Sequence, residues 1–236
     1  MNLVLLDPSA YDDVQDLYRI QEPRQIEHIK HHLKAKIGDT LKVGVLNQAR
    51  YLCEIIAITD DFIELKTIQK EPVPDKIPVT LIVALPRPKA LRRLIMDATS
   101  LGVEKIVLMH CYHVEKSYWQ TPFLQKLNDY AMLGLEQAGD VFLPEIVLEQ
   151  RFKPFVEDRL RLWTQAKPSF VAHPYSVQKL PMSFNQPCQI IVGAERGFTA
   201  YEIDLLQQNG CQICQLGNRI LRTETAVSSI LARMFT

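Results

Sequence analysis

The densest chemistry in the 236-residue chain lies in Leu216–Ala226, LGNRILRTETA, where Arg219, Arg222, Glu224 and two threonines follow an apolar stretch. So much charge at the end of a buried strand is costly unless the charges pair with one another or meet a ligand. An Arg222–Glu224 or Arg219–Glu195 ion pair satisfies the first alternative; a binding site satisfies the second. Two other apolar segments end in comparable turns: VAHP, with Ala172, His173 and Pro174, and VGAERG, with Val192, Gly193, Glu195 and Gly197. VGAERG lacks the three-glycine spacing of a dinucleotide fingerprint, and no Gly-Lys-Ser/Thr follows it, so it is not a phosphate-binding loop.

Three other groups invite a chemical reading and yield less. Cys211 and Cys214 have the spacing of half a zinc or redox motif, but no second pair exists and the segment reads as a strand, so core packing is expected. His28, His31 and His32 sit at helical spacings that a metal can use, with no acidic or cysteine ligand beside them to complete a set, so no metal is expected. Tyr118 and Trp119 have the chemistry to stack on a base, although packing under a loop explains them as well.

The elements that must position these groups change character along the chain. LKVGVL (41–46), YLCEIIAI (51–58) and FIELKTI (62–68) are short, β-branched or alternating runs separated by turn residues, and a helix from Pro23 to Leu33 precedes them. Residues 1–71 are expected to form a small β-barrel. EPVPDKIP (71–78) carries three prolines and reads as a stiff linker. From there strands and helices alternate: strands at 79–85, 105–110, 169–174, 188–197 and 211–217, and helices from Pro88 to Gly102, from Thr121 to Gly139, from the Thr199/Glu202 capping box, and at the carboxyl-terminal end. That alternation predicts a parallel α/β sheet over residues 72–236, with its ligand crevice beyond the carboxyl ends of the strands, where VAHP, VGAERG and LGNRILRTETA all fall.

Composition sets the outer limits. With 47% hydrophobic and 23% charged residues the chain can bury a sizeable core, which excludes disorder, collagen and a disulfide miniprotein. No apolar run is long enough to span a membrane, the amino-terminal segment lacks the basic start of a signal peptide, and five cysteines read as free thiols, so a cytoplasmic location is expected. Net charge is zero, unusual for a nucleic-acid binder. Residues 1–71 carry net −3 and the remainder net +3, yet residues 19–50 hold a local +4. Arg24, Lys30, Lys34 and Lys36 in that stretch are candidates for phosphate contact, against the alternative of a solvated helix face.

VGAERGFTAYEI followed by LGNRILRTETAVSSILA resembles the RsmE family of ribosomal RNA methyltransferases, part of the knotted SPOUT superfamily. The second motif stands intact; HHLKAKIGDTLKV, DATSLGVEKIV and LEQAGDVFLPEI agree more weakly with family segments in the same order over the whole chain. Departures exist: Asp97 and Ser100 stand where the family usually has Lys and Glu, Ala138 replaces Ser and is followed by Gly139-Asp140-Val141-Phe142 without the expected arginine, and Ala194 and Arg196 replace Pro and Gly.

The resemblance implies a PUA-like barrel at 1–71 that grips RNA and a SPOUT domain at 72–236 with a carboxyl-terminal trefoil knot, acting as a homodimer. It implies S-adenosylmethionine as methyl donor, S-adenosylhomocysteine as product, and N3 of a uridine in small-subunit (16S) ribosomal RNA, in the assembled subunit, as target. It places the cofactor on Ala172, His173, Pro174, Val192, Gly193, Glu195, Gly197, Leu216, Gly217, Ile220, Leu221, Arg222, Thr223 and Ala226. A guanidinium can stabilise the charge that spreads onto the uracil oxygens as N3–H is lost, which points to Arg222 first and Arg219 second. Glu195 and Glu224 are both candidates to take the proton. A relative of the same fold with another RNA target, or an RNA-binding protein that has lost catalysis, are the alternatives.

Overall fold

A computed structural model describes residues 2–12 and 17–235. The chain divides into two compact units, one formed by Met1–Asp75 with Met132–Leu143, the other by Lys76–Ala131 with Pro144–Thr236.

The first unit is built on a six-stranded sheet. Its strands are β1 (Val4–Leu6), β2 (Tyr11–Asp12), β3 (Leu17–Ile20), β4 (Thr40–Val45), β5 (Ala49–Ile58) and β6 (Ile63–Glu71), ordered β1-β4-β5-β6-β3-β2. All pairings are antiparallel except β1 with β4. Alternation along the strands sends Val43, Val45, Cys53, Ile55, Ile63 and Leu65 to one core, where α1 (Pro23–Glu27) and the π-type turn His28–His32 add Ile26 and Ile29. Pro23 occupies the first helical position, as the sequence predicts.

β1, which the sequence reading leaves unassigned, is buried on both faces. Val4 and Leu6 join that core, while Leu3 and Leu5 join a second cluster with Leu135 and Val141. Gly44 is required there: a Cβ on it would lie 2.7 Å from both Leu3 and Val141 side chains. Polar contacts hold the same returning segment. Arg24 makes a two-pronged ion pair with the buried Glu136 at 2.6 and 3.1 Å. Arg50 Nη1 donates to the Gly139 carbonyl at 2.9 Å, and Asp140 accepts from the Val141 and Phe142 amides.

The second unit carries a six-stranded, wholly parallel sheet. Its strands are β7 (Ile77–Ala84), β8 (Val103–Met109), β9 (Glu145–Glu149), β10 (Ser169–Ala172), β11 (Cys188–Val192) and β12 (Gln212–Cys214), ordered β12-β10-β11-β7-β8-β9. β11 is buried along its whole length, as a central strand between helical layers requires. The helices are α2 (Pro88–Ser100), α3 (Leu127–Ala138, which ends in the first unit), α4 (Phe152–Pro154), α5 (Arg161–Ala166), α6 (Ala200–Gln208) and α7 (Thr223–Met234). α2 buries Leu91, Leu94, Ile95 and Ala98 at the expected spacing. α6 starts on the Thr199/Glu202 capping box. β9, α4 and α5 carry no clear signal in the sequence.

Two expectations change. The proline-bearing segment 71–78 is less linker than it reads: β6 continues through Glu71 and β7 begins at Ile77, with Pro78 inside it. The single helix expected after Thr121 starts instead as a 3-10 turn, Pro122–Lys126, capped by the Thr121 hydroxyl, and becomes α-helical at Leu127. No helix among the described residues is long and apolar enough to cross a membrane.

Candidate functional site

Three strands that are neighbours in the sheet, β12, β10 and β11, deliver their carboxyl-end loops to one place. Ala172, His173 and Pro174 follow β10; Gly193, Ala194, Glu195, Gly197 and Phe198 follow β11. Leu216, Gly217, Arg219, Ile220 and Leu221 follow β12, and Thr223, Ala226 and Ile230 of α7 form the floor. With Val192 these residues line one cavity that opens to solvent.

Short-range contacts fix the loops against one another. The His173 amide donates to the Cys214 carbonyl at 2.8 Å, tying the first loop to β12. The Thr223 hydroxyl donates to the Gly193 carbonyl at 3.3 Å, tying α7 to the second loop. That loop closes through Gly197 N–H to Ala194 O at 2.8 Å. From behind, His113 Nδ1 lies 3.0 Å from the Gly197 carbonyl, and the buried Glu202 accepts the Tyr112 amide at 2.7 Å. Two glycines are demanded here. Gly197 has φ +71°, and a Cβ on Gly193 would press at 3.3 Å on the Gly197 backbone and the Phe198 ring. Gly217 has open space around it, so no crowding explains its type.

The ion-pair alternative for these charges is removed. Neither Arg219–Glu195 nor Arg222–Glu224 forms an ion pair among the described residues. Glu195 instead accepts from Arg87, at 3.1 Å from Nε and 3.4 Å from the main-chain amide. Arg87 is the N-cap of α2, on the turn after β7 and 108 residues away, which no local pattern reveals. Arg219 lines the cavity; Arg222 is exposed at the N-cap of α7 and lies outside the lining, although the resemblance places it against the cofactor. Glu224 is half-buried in the first turn of α7, where its charge suits the helix dipole. That charge also reaches Asp97 on α2, whose carboxyl is raised above its usual 3.8 by burial and by Glu224, against the lowering pull of Arg93. Burial pushes the His173 imidazole down.

Of the fourteen residues expected at a cofactor, all but Arg222 line this cavity. Ala194, Phe198 and Ile230 are additions that the sequence reading misses. Ile230 is accessible to sequence reasoning, because it lies one helical turn beyond Ala226. The site fits S-adenosylmethionine: main-chain groups crowd near Gly193 without an intervening Cβ, and aliphatic walls of Val192, Leu216, Ile220, Leu221 and Ile230 suit an adenine ring.

The remaining candidates are placed elsewhere. In the first unit Arg24 is engaged by Glu136 and Lys30 by Asp60 at 2.5 Å, so neither is available in the way expected, whereas Lys34 and Lys36 are exposed. Glu136 itself, within the LEQAGDVFLPEI segment of the family resemblance, is buried. Trp119 is half-buried and donates its indole N–H to His110 Nδ1 at 3.0 Å. Cys211 and Cys214 are buried, and burial pushes the Cys211 thiol up to about 12. Among the described residues no cluster of three or more His, Cys, Asp or Glu side chains is arranged to hold a metal.

Residues 73–235 match the model of a family described as RNA methyltransferase domain. The ribosomal RNA small subunit methyltransferase E of Treponema pallidum is 28% identical over 222 residues, covering 87% of this chain and 80% of that protein. Ribosomal RNA small subunit methyltransferase E 1 of Borreliella burgdorferi is 26% identical over 235 residues, covering 96% and 94%. The crystal structure of a ribosomal RNA small subunit methyltransferase E from Neisseria gonorrhoeae, bound to S-adenosyl methionine, superposes with a TM-score of 0.76 at 17% identity, covering 98% of this chain and 95% of that one.

Proposed function

Because the chain belongs to the RNA methyltransferase domain family, we propose that it transfers a methyl group from S-adenosylmethionine to N3 of a uridine in 16S ribosomal RNA. The observation that carries this reading is the convergence of three strand-end loops and α7 on one cavity whose lining fits the methyl donor. The names of the Treponema and Borreliella relatives support the ribosomal target.

The bound cofactor supplies an electrophilic methyl group on a sulfonium. The chain's own part is to hold the partners and manage charge. Gly193, Gly197 and the aliphatic walls seat the donor, and Glu195, anchored by Arg87, keeps the β11 loop in register. An N3–H uridine becomes nucleophilic as its proton leaves and charge spreads to its carbonyl oxygens. We assign that role first to Arg222, exposed at the start of α7 next to the lining residues Leu221 and Thr223, with Arg219 inside the cavity as second candidate. Glu195 already accepts two hydrogen bonds from Arg87, which favours Glu224 as the proton acceptor.

On this reading residues 72–236 form the knotted catalytic domain and residues 1–71 an RNA-contacting barrel, and the protein works in the cytoplasm on the assembled small subunit. A homodimer, which the family resemblance implies, belongs to the same reading.

Calorimetric titration with S-adenosylmethionine and S-adenosylhomocysteine, followed by labelled-methyl transfer to small-subunit RNA, tests the proposal. Saturable binding and N3-methyluridine in the product are expected. A folded protein that binds neither ligand overturns it in favour of an RNA-binding role.

A further inference from the structure

α2 presents an exposed cationic face. Lys89, Arg92 and Arg93, spaced three and four apart, share one side of the helix and are all exposed. Among the described residues none of the three forms an ion pair. Arg92 lies over the Tyr130 ring at 5.8 Å, which orients the guanidinium while leaving its N–H edge for another partner. Arg93 acts on Asp97, the acid one turn on, without closing a contact with it.

The charge runs against local helix energetics. The first turn of α2 contains no acidic residue, and Lys89 adds a positive charge where the backbone N–H groups already point outward. A chain selected only for helix stability places Asp or Glu there. The face also adjoins the site: the N-cap of α2 is Arg87, which holds the lining residue Glu195, and α2 packs on α7, where the charge of Glu224 reaches Asp97.

We infer that Lys89, Arg92 and Arg93 form a phosphate-binding face that grips the RNA backbone beside the transfer site. The inference rests on the methyltransferase reading for its occupant and goes beyond it in locating the grip. It moves the main electrostatic contact to the second unit, which carries the excess of basic residues, and away from Arg24 and Lys30, whose charges are already matched.

The test is binding of labelled 16S transcript to the full chain over a salt series, comparing the wild type, the triple variant Lys89→Glu/Arg92→Glu/Arg93→Glu and the double variant Lys34→Glu/Lys36→Glu. For single-stranded contacts the slope of log affinity against log salt should shrink by about 2 in the triple variant, with affinity down about 10-fold or more. S-adenosylmethionine titration and thermal melting keep the result interpretable: cofactor affinity should be unchanged, and Tm unchanged or higher, since the Lys89→Glu change puts an acid where the helix dipole favours one. An unchanged slope and affinity in a folded triple variant, or a loss confined to the double variant, overturns the inference. A wild type that binds RNA with the steep slope but takes no cofactor overturns the methyltransferase reading and leaves the phosphate face standing.

Discussion

In the first unit Arg19, Arg24, Lys30 and Arg50 each reach a carboxylate of the same unit, Glu64, Glu136, Asp60 and Glu71. In the second, the cations beyond β7, β11 and β12 are used differently: Arg87 anchors Glu195, while Lys89, Arg93, Arg196, Arg219 and Arg222 remain exposed or face the cavity without an ion-pair partner among the described residues. The local +4 of residues 19–50 is therefore largely absorbed by acids from distant sequence, Glu136 being 112 residues from Arg24. A run of basic residues shows where charge is available, and only the partners brought by folding decide whether it holds the structure or meets a ligand.

Substitutions on the two sides should separate these uses. The largest effect is expected for Arg222→Ala, which should lower the rate of methyl transfer by about 10²–10³-fold by analogy with loss of a preorganised charge donor, with calorimetric S-adenosylmethionine affinity retained. Unchanged turnover would remove Arg222 from the site. Next is Arg24→Ala, which leaves the Glu136 carboxylate buried without its partner and should cost ~2–3 kcal/mol in urea unfolding, below the fully buried case because Arg24 is half-exposed. Intact stability with weakened RNA binding would reverse the assignment of the first unit's charges. The smallest effect is at Asp97. Its folded value lies above 3.8, so the fold favours the neutral form; the stability this contributes is present below that value and lost as pH rises. Asp97→Asn keeps the neutral form, so its Tm should exceed the wild type's at pH 7, and the difference should close as pH falls through about 3.8. A constant difference across that range would show that carboxyl ionisation is not its source.

Much of the second unit is legible because its information is local. β7, β8, β10 and β11 are apolar runs bounded by turns, α2 and α6 carry their spacing and caps, and parallel order puts the strand ends together, so loops far apart in sequence can be assigned to one crevice. The family resemblance then supplies residues such as Ile220 and Leu221 that periodicity alone does not single out. What stays hidden depends on distant partners. β1 is three residues long and is defined by pairing with β4 some 40 residues later. The return of Met132–Leu143 to the first unit reads, locally, as the end of a helix. The Arg87–Glu195 contact has no sequence signature, its partners lying 108 residues apart, and of the two ion pairs weighed against a binding site, Arg222–Glu224 rests on closeness along the chain, a weak guide where the backbone turns from strand to helix.

The parallel register of the second sheet also governs when the site can exist. β7 is completed in the sheet by β11, with Val79 beside Cys188, and the third wall and floor of the cavity arrive only with residues 216–230. A ribosome making this chain releases β7 and β8 long before any of those partners, and contacts of such long sequence separation form slowly. The cavity is thus a late acquisition of the nascent chain: until Thr223 can reach the Gly193 carbonyl, the polypeptide can carry a folded first sheet and still lack the cavity's third wall and floor.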